Sequence, residues 1–143
     1  GKVDLTMVLN GALAGLVSIT AEPLTPTLGW SFIIGGIGGA IVVYGVPLLD
    51  KFKIDDVVGA IPVHLFAGIW GTLAVVLTNP DASFGTQIYS IVVVGLFVVI
   101  TSGILWVILK AAMGIRVSEE DEVNGLDMSE LGMEAYPDFS KSG

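Results

Sequence analysis

The chain has 143 residues, of which 53% are hydrophobic and 14% are charged, and it contains no cysteine. Its mean hydropathy of +0.85 excludes an ordinary soluble domain, and the lack of cysteine excludes disulfides, thiol nucleophiles and thiolate zinc sites. The net charge of -8, from 14 acidic and 6 basic residues, excludes a basic nucleic-acid-binding surface.

Four apolar stretches follow one another, at about residues 5–21, 28–49, 57–78 and 88–113. Each is long enough, or nearly so, for a helix that crosses the hydrocarbon core with ~20 residues. Four such stretches in succession predict an all-α membrane protein with four transmembrane helices. Residues 1–115 form this transmembrane portion, and residues 116–143 form a tail with eight acidic and two basic residues.

The basic residues indicate the orientation of these helices, because short basic loops stay on the cytoplasmic side. They are Lys2, Lys51, Lys53, Lys110, Arg116 and Lys141. The two other connections, residues 22–27 and 79–87, contain no lysine or arginine. We therefore expect both ends and the acidic tail to be cytoplasmic. No signal peptide pattern is present, and we expect the sequence to begin inside a longer polypeptide because Gly1 is not an initiator methionine.

The first two stretches carry pairs of glycines four residues apart. Gly11 with Gly15, and Gly35 with Gly39, place small residues on one helix face. Such faces allow close backbone approach between membrane helices. The pairs predict that both helices pack against other helices.

The third stretch is preceded by two carboxylates and contains a proline. Asp55 and Asp56 lie where side chains cap free N–H groups and complement the helix dipole, so helix capping is their expected role. Pro62 cannot donate to the carbonyl of Val58 and predicts a kink in the helix.

The only histidine, His64, lies roughly eight residues into the third stretch, about 12 Å along a helix. An ionisable group at that depth usually lines a cavity or a polar path. At helical spacing, mostly small residues share its face, so we predict that His64 points into the protein or a lumen. The alternative is a packed histidine hydrogen-bonded to a neighbouring helix. The residues that share this face are Ala60, Ile61, Ala67, Gly68 and Gly71.

The sequence contains no recognisable catalytic motif. Phosphate-binding loops and nucleophile elbows are absent, and acidic residues are nearly absent from the apolar stretches. One histidine without cysteine does not make a closed zinc site, so neither a metal nor another cofactor is expected. Trp30, Trp70 and Trp106 are expected to be interface anchors or packing residues.

Three segments of the chain resemble the ammonium transporter family, which includes the bacterial ammonium channels. They are residues 9–20 (LNGALAGLVSIT), residues 55–72 (DDVVGAIPVHLFAGIWGT), and the tail from residue 114 (GIRVSEEDEVNGLD) to Gly132 and Tyr136. The resemblance implies that the four helices correspond to the last four spans of the family's eleven-helix fold. The missing N-terminal portion would supply the other spans.

The resemblance implies a site as well as a fold. In the family, two histidines meet in a narrow hydrophobic pore, and His64 resembles the second of them. Ala60 and Ile61 would lie beside it on the permeant path. Thr20 matches a position near the outer vestibule, where helix capping or packing is the alternative role. Ammonium would release a proton near the histidines and cross as ammonia, with methylammonium as an analogue.

The tail resembles a regulatory element. In the family it packs against a neighbouring subunit of a trimer and helps a PII signal protein to bind. Arg116, Gly125, Asp127 and Tyr136 are the corresponding positions here, whereas Leu131 stands where the family often has histidine. Composition alone indicates a solvated acidic run at residues 119–122 that need not be ordered.

The resemblance implies an ammonium channel in the inner membrane of a bacterium, embedded in lipid and working as a homotrimer. Two alternatives stay open. One is an ammonium sensor that uses the same fold to bind ammonium rather than to pass it. The other is a half-subunit that needs a separate N-terminal chain.

Overall fold

The computed structural model describes residues 2–135. Within this range every regular element is a helix, as the sequence predicts. The elements are α1 (Leu5–Ile19), α2 (Leu28–Lys51), a π-helical turn (Ile61–Phe66) that continues into α3 (Ala67–Thr78), α4 (Phe84–Met113), α5 (Glu119–Asn124) and α6 (Leu126–Leu131).

The chain divides into two compact units, Gly1–Phe97 and Val98–Gly143. The first contains α1, α2, α3 and the beginning of α4. The second contains the end of α4 together with α5 and α6. No residue of α4 is buried.

Three of the described helices are long and apolar enough to cross a membrane, namely Leu28–Lys51, Ile61–Thr78 and Phe84–Met113. Helix α1 is apolar but has 15 residues, fewer than the ~20 that a perpendicular crossing needs. It ends earlier than the predicted stretch 5–21. A fourth crossing by α1 therefore stays a prediction.

Helices α1 and α2 pack antiparallel through the four glycines. A Cβ atom on Gly15 would lie 3.4 Å from the carbonyl oxygen of Gly35, and one on Gly39 would lie 3.5 Å from that of Gly11. At these separations an added methyl group would be in van der Waals contact with the facing backbone, so the two backbones lie about one methyl group apart. The prediction that these glycines serve helix packing is confirmed.

The helix that contains α3 completes the core of the first unit. Ala14 of α1, Val42 of α2, Val63 of the π-helical turn and Ala67 of α3 form one buried cluster, with exposures of at most 1%. Ser18 is also buried, and its hydroxyl donates to the carbonyl of Ala14 at 2.8 Å. Three helices therefore meet along one line of small and β-branched side chains, which holds the π-helical turn in place.

Candidate functional site

The helix that carries the candidate site begins with the π-helical turn. The carboxylate of Asp56 accepts hydrogen bonds from the backbone N–H groups of Ala60 and Ile61, both at 2.8 Å. These are donors that the start of a helix leaves without an internal partner. Asp56 therefore caps this helix, whereas Asp55 is exposed.

Pro62 lies in the first turn of this helix rather than within a longer one. At that position its missing N–H removes no helical hydrogen bond. We expected Pro62 to kink a helix, but in the structure this proline lies at the beginning of the helix. His64 consequently lies three residues after Ile61, much closer to the beginning of the helix than the sequence suggests.

The His64 side chain is exposed in this chain. Within residues 2–135 it has no hydrogen-bonding partner. The described part of the chain therefore does not contain the alternative arrangement, a packed histidine that is hydrogen-bonded to a neighbouring helix. Ala60, one turn earlier, and Leu65, at 53% exposure, are exposed beside it. Ile61 is half-buried. An exposed imidazole without a partner in this part of the chain, beside apolar side chains, can donate or accept hydrogen bonds with a small polar molecule.

Two small residues predicted to share the face of His64 pack in the opposite environment. Ala67 is fully buried, and its carbonyl lies 3.4 Å from the Ser18 hydroxyl. Gly71 is buried against the backbone of the same Ser18. The prediction that Ala67 and Gly71 share the face of His64 is wrong. The i→i+5 bonding of the π-helical turn changes the angle around the helix axis between His64 and the residues that follow.

Sequence reasoning missed one residue near this site. Asn10, in the middle of α1, donates its side-chain Nδ2 to the carbonyl oxygen of Val58 at 2.9 Å. The sequence did contain a sign of this contact, namely a side-chain amide within a continuous apolar stretch. Buried polar groups in membrane helices need hydrogen-bonding partners.

Thr20 lies at the other end of α1. Its hydroxyl donates to the carbonyl of Val17 at 2.7 Å, and its side chain is exposed. This is the local bond of a threonine that ends a helix, which is the alternative that the sequence left open. The hydroxyl oxygen keeps acceptor capacity for a permeant molecule or water.

An open pocket of about 370 Å³ lies near Thr20, away from His64. It is lined by residues of the two connections that lack basic residues, including Glu22, Asn79 and Asp81. Asn79 donates its side-chain Nδ2 to Glu22 at 3.4 Å. The pocket and the histidine are therefore separate features of the first unit.

Trp70 is a packing residue. Its indole Nε1–H donates to the carbonyl oxygen of Ile34 on α2 at 3.0 Å, and its side chain is half-buried. The indole therefore links α3 to the middle of α2, which is the second of the two roles expected for the tryptophans.

The tail forms two short helices, and the first of them, α5, contains the whole acidic run at residues 119–122. The Ser118 hydroxyl accepts the N–H of Asp121 at 3.1 Å and caps α5. Arg116 donates to both carboxylate oxygens of Glu122, at 2.8 and 3.0 Å. Both side chains are more than half exposed, so this pair contributes little to stability. Gly125, with φ of 101°, separates α5 from α6, and Tyr136 lies outside the described residues.

Asp127 closes the loop that follows α6. Its carboxylate accepts the backbone N–H of Ala135 at 2.8 Å. This bond, and after it the backbone N–H of Met128, holds the pKa of the Asp127 carboxyl below its ordinary value of 3.8. Hydrogen bonds to a carboxylate favour its charged form.

The Asp127 loop is expected to open at acid pH. Because the pKa is lowered in the folded tail, its contribution to stability is complete above pH 3.8 and is lost as the pH falls through the lowered pKa. We expect the Ala135 amide of the complete polypeptide to be protected from hydrogen exchange at pH 6 and to lose that protection, relative to its intrinsic rate, as the pH falls below 3.8 and through the lowered pKa. Asp127→Ala should remove the protection already at pH 6, while Glu130→Ala, an exposed carboxylate of the same helix, should leave it. A pH-independent protection factor in the wild type would contradict this.

Comparisons with known proteins agree with the resemblance. A family profile described as Ammonium Transporter Family matches residues 1–136. The chain is 42% identical to ammonium transporter Amt2 of Archaeoglobus fulgidus over 161 aligned positions, which cover 97% of the chain and 34% of that protein. It is 36% identical to an ammonium transporter of Bacillus subtilis over 153 positions, covering 96% and 38%. With ammonium transporter Amt1 of Haloferax mediterranei the identity is 35% over 144 positions, covering 97% and 28%. The chain spans about a third of the length of these curated relatives.

Proposed function

Because the chain belongs to the ammonium transporter family, we propose that it forms the C-terminal part of an ammonium channel and supplies one of two pore histidines, His64. One observation carries the assignment. His64 is exposed at the start of its helix and has no hydrogen-bonding partner in the described part of the chain, whereas the side of the same helix that carries Ala67 and Gly71 is packed. The exposed side would face the portion of the channel that this chain does not contain.

The physical argument concerns the cost of moving a cation through an apolar passage. An ammonium ion loses its hydration there, which costs far more than the same transfer of neutral ammonia. An imidazole can hold the proton that ammonium releases, or hydrogen-bond to ammonia as it passes. His64 would take this role, with Ala60 and Ile61 beside it on the permeant path.

The proposed topology has four crossings, with residues 22–27 and 79–87 outside and both ends in the cytoplasm. The distribution of lysine and arginine supports this orientation. The apolar lengths of α2, of the helix Ile61–Thr78 and of α4 support three of the crossings. The membrane would be the inner membrane of a bacterial cell, and Thr20 would lie near the outer vestibule.

The tail is proposed to regulate the channel from the cytoplasmic side. Its short helices and the Asp127 loop support an ordered element rather than a solvated acidic run. Arg116, Gly125, Asp127 and Tyr136 would take part in contacts within a homotrimer and with a PII signal protein.

Flux through the complete polypeptide tests the proposed function. We expect liposomes that contain it to pass ammonium and methylammonium down a gradient, at a rate that saturates and exceeds that of empty liposomes. Saturable ammonium binding without flux would contradict the channel and favour the sensor. If the reading frame upstream of Gly1 lacks the other spans and flux requires a second chain, the half-subunit is correct.

A further inference from the structure

The turn before His64 has a contact with α1 that the pore assignment does not use. The Asn10 side-chain Nδ2 reaches across to the carbonyl oxygen of Val58 at 2.9 Å, joining residues 48 positions apart in the sequence. Asn10 is half-buried on α1. The contact lies six residues before His64, where the chain turns into the π-helical segment.

The turn needs a donor from outside itself. Because the helix begins after Val58, the carbonyl of Val58 lies outside its hydrogen-bond ladder. The backbone N–H groups of Gly59 and Val63 donate to the carbonyls of Asp56 and Gly59 instead. Val57 and Val58 are 89% and 63% exposed, so few side chains hold this turn. The amide of Asn10 therefore provides the hydrogen bond that the segment's own backbone lacks.

Gly59 allows the amide to approach. Its φ is 75°, and a Cβ atom there would lie 2.8 Å from Nδ2 of Asn10. The helix that carries His64 begins immediately after Gly59, at Ala60 and Ile61. The carbonyl of Gly59 accepts the N–H of Val63 at 3.1 Å, and Asp56 holds the N–H groups of the residues between them. A displacement of the turn would therefore be transmitted to the next residue, His64.

We propose that Asn10 is a positioning residue, which orients His64 by holding the Val58–Gly59 turn against α1. The proposal rests on the proposed function, because it assumes that His64 lies on the permeant path. Asn10 itself need not contact ammonium. Loss of the bond would move the imidazole relative to the partner groups of the complete channel, and displacements of this size are costly in sites that depend on orientation.

The test uses Asn10→Leu in the complete polypeptide, because leucine has a similar shape and no donor. Reconstituted into liposomes, it should transport ammonium about tenfold more slowly per inserted molecule and change the ratio of methylammonium to ammonium transport by about threefold. Asn10→Gln, which keeps an amide donor, should recover most of both values. The matched control is Asn79→Leu, which removes a second long-range side-chain amide bond found within residues 2–135, from Asn79 to Glu22, and should leave the ratio unchanged.

The ratio of the two substrates decides between positioning and a structural role, because it does not depend on how much protein folds. A lower rate with an unchanged ratio would overturn the proposal, as would failure of both Asn10 variants to insert into the membrane. His64→Ala is measured in parallel. If it changes the ratio and Asn10→Leu does not, positioning fails and the pore assignment stands. If His64→Ala changes nothing, the proposed function fails and the positioning role fails with it.

Discussion

Replacement of Gly71 by alanine is expected to destabilise the packing of α3 against α1 by about 2–3 kcal/mol or more. An added Cβ would contact the backbone of Ser18, within 2.8 Å of both its carbonyl carbon and its Cα. A side chain could rotate away, but a backbone in the middle of α1 cannot. The helices would have to separate, which would open the buried cluster that includes Ala67.

The same substitution at Gly68 is the matched control. A Cβ there would meet only the Cγ1 of Val17, at 3.8 Å, which is an ordinary van der Waals contact. Alanine also favours a helix interior over glycine by about 1 kcal/mol. Gly68→Ala should therefore keep or raise the midpoint of thermal unfolding of the complete polypeptide in detergent, while Gly71→Ala should lower it.

A second substitution separates backbone from side-chain contact. Because the Gly71 contact is with the backbone of Ser18, Ser18→Ala should not restore the stability of Gly71→Ala. Restoration by Ser18→Ala, or a Gly71→Ala protein as stable as the wild type, would contradict the three-helix packing described for the first unit.

Local sequence features predicted the helices, the packing of α1 against α2 and the capping by Asp56. Apolar length, small residues four apart and a carboxylate before a helix each act over one or two turns, so a single sequence contains them. Gly11 with Gly15, and Gly35 with Gly39, illustrate this, because their spacing of four predicts close packing without knowledge of the partner helix.

The surroundings of His64 could not be predicted in the same way. The assignment of Ala67 and Gly71 to its face assumed 3.6 residues per turn through the whole stretch, but a π-helical turn lies between them and the helix start. The turn before the helix also depends on Asn10, because its partner Val58 is 48 residues away in the sequence and comes beside it only when the chain folds. Four crossings, the cytoplasmic ends and the partners of the tail stay predictions.

His64→Ala is expected to lower ammonium transport by the complete polypeptide at least about tenfold, a factor equal to about 1.4 kcal/mol in the barrier. The substitution removes the exposed imidazole from an otherwise apolar surface that includes Ala60 and Leu65. A permeant molecule would then lose its hydration without a replacement partner. Transport and the ratio of methylammonium to ammonium are measured in liposomes, per inserted molecule.

Two further variants separate the imidazole's chemistry from its volume. Leu65→Ala shortens the exposed neighbour by a similar volume, and transport should change by less than about twofold because no polar group is lost. His64→Gln keeps a donor and an acceptor but cannot be protonated, so it distinguishes hydrogen bonding from proton transfer. Transport by His64→Gln near the wild-type rate would assign the imidazole to hydrogen bonding, whereas a loss equal to that of His64→Ala would assign it to proton transfer. Unchanged rate and selectivity in His64→Ala would remove His64 from the permeant path, because no other described side chain on this exposed turn could replace its chemistry.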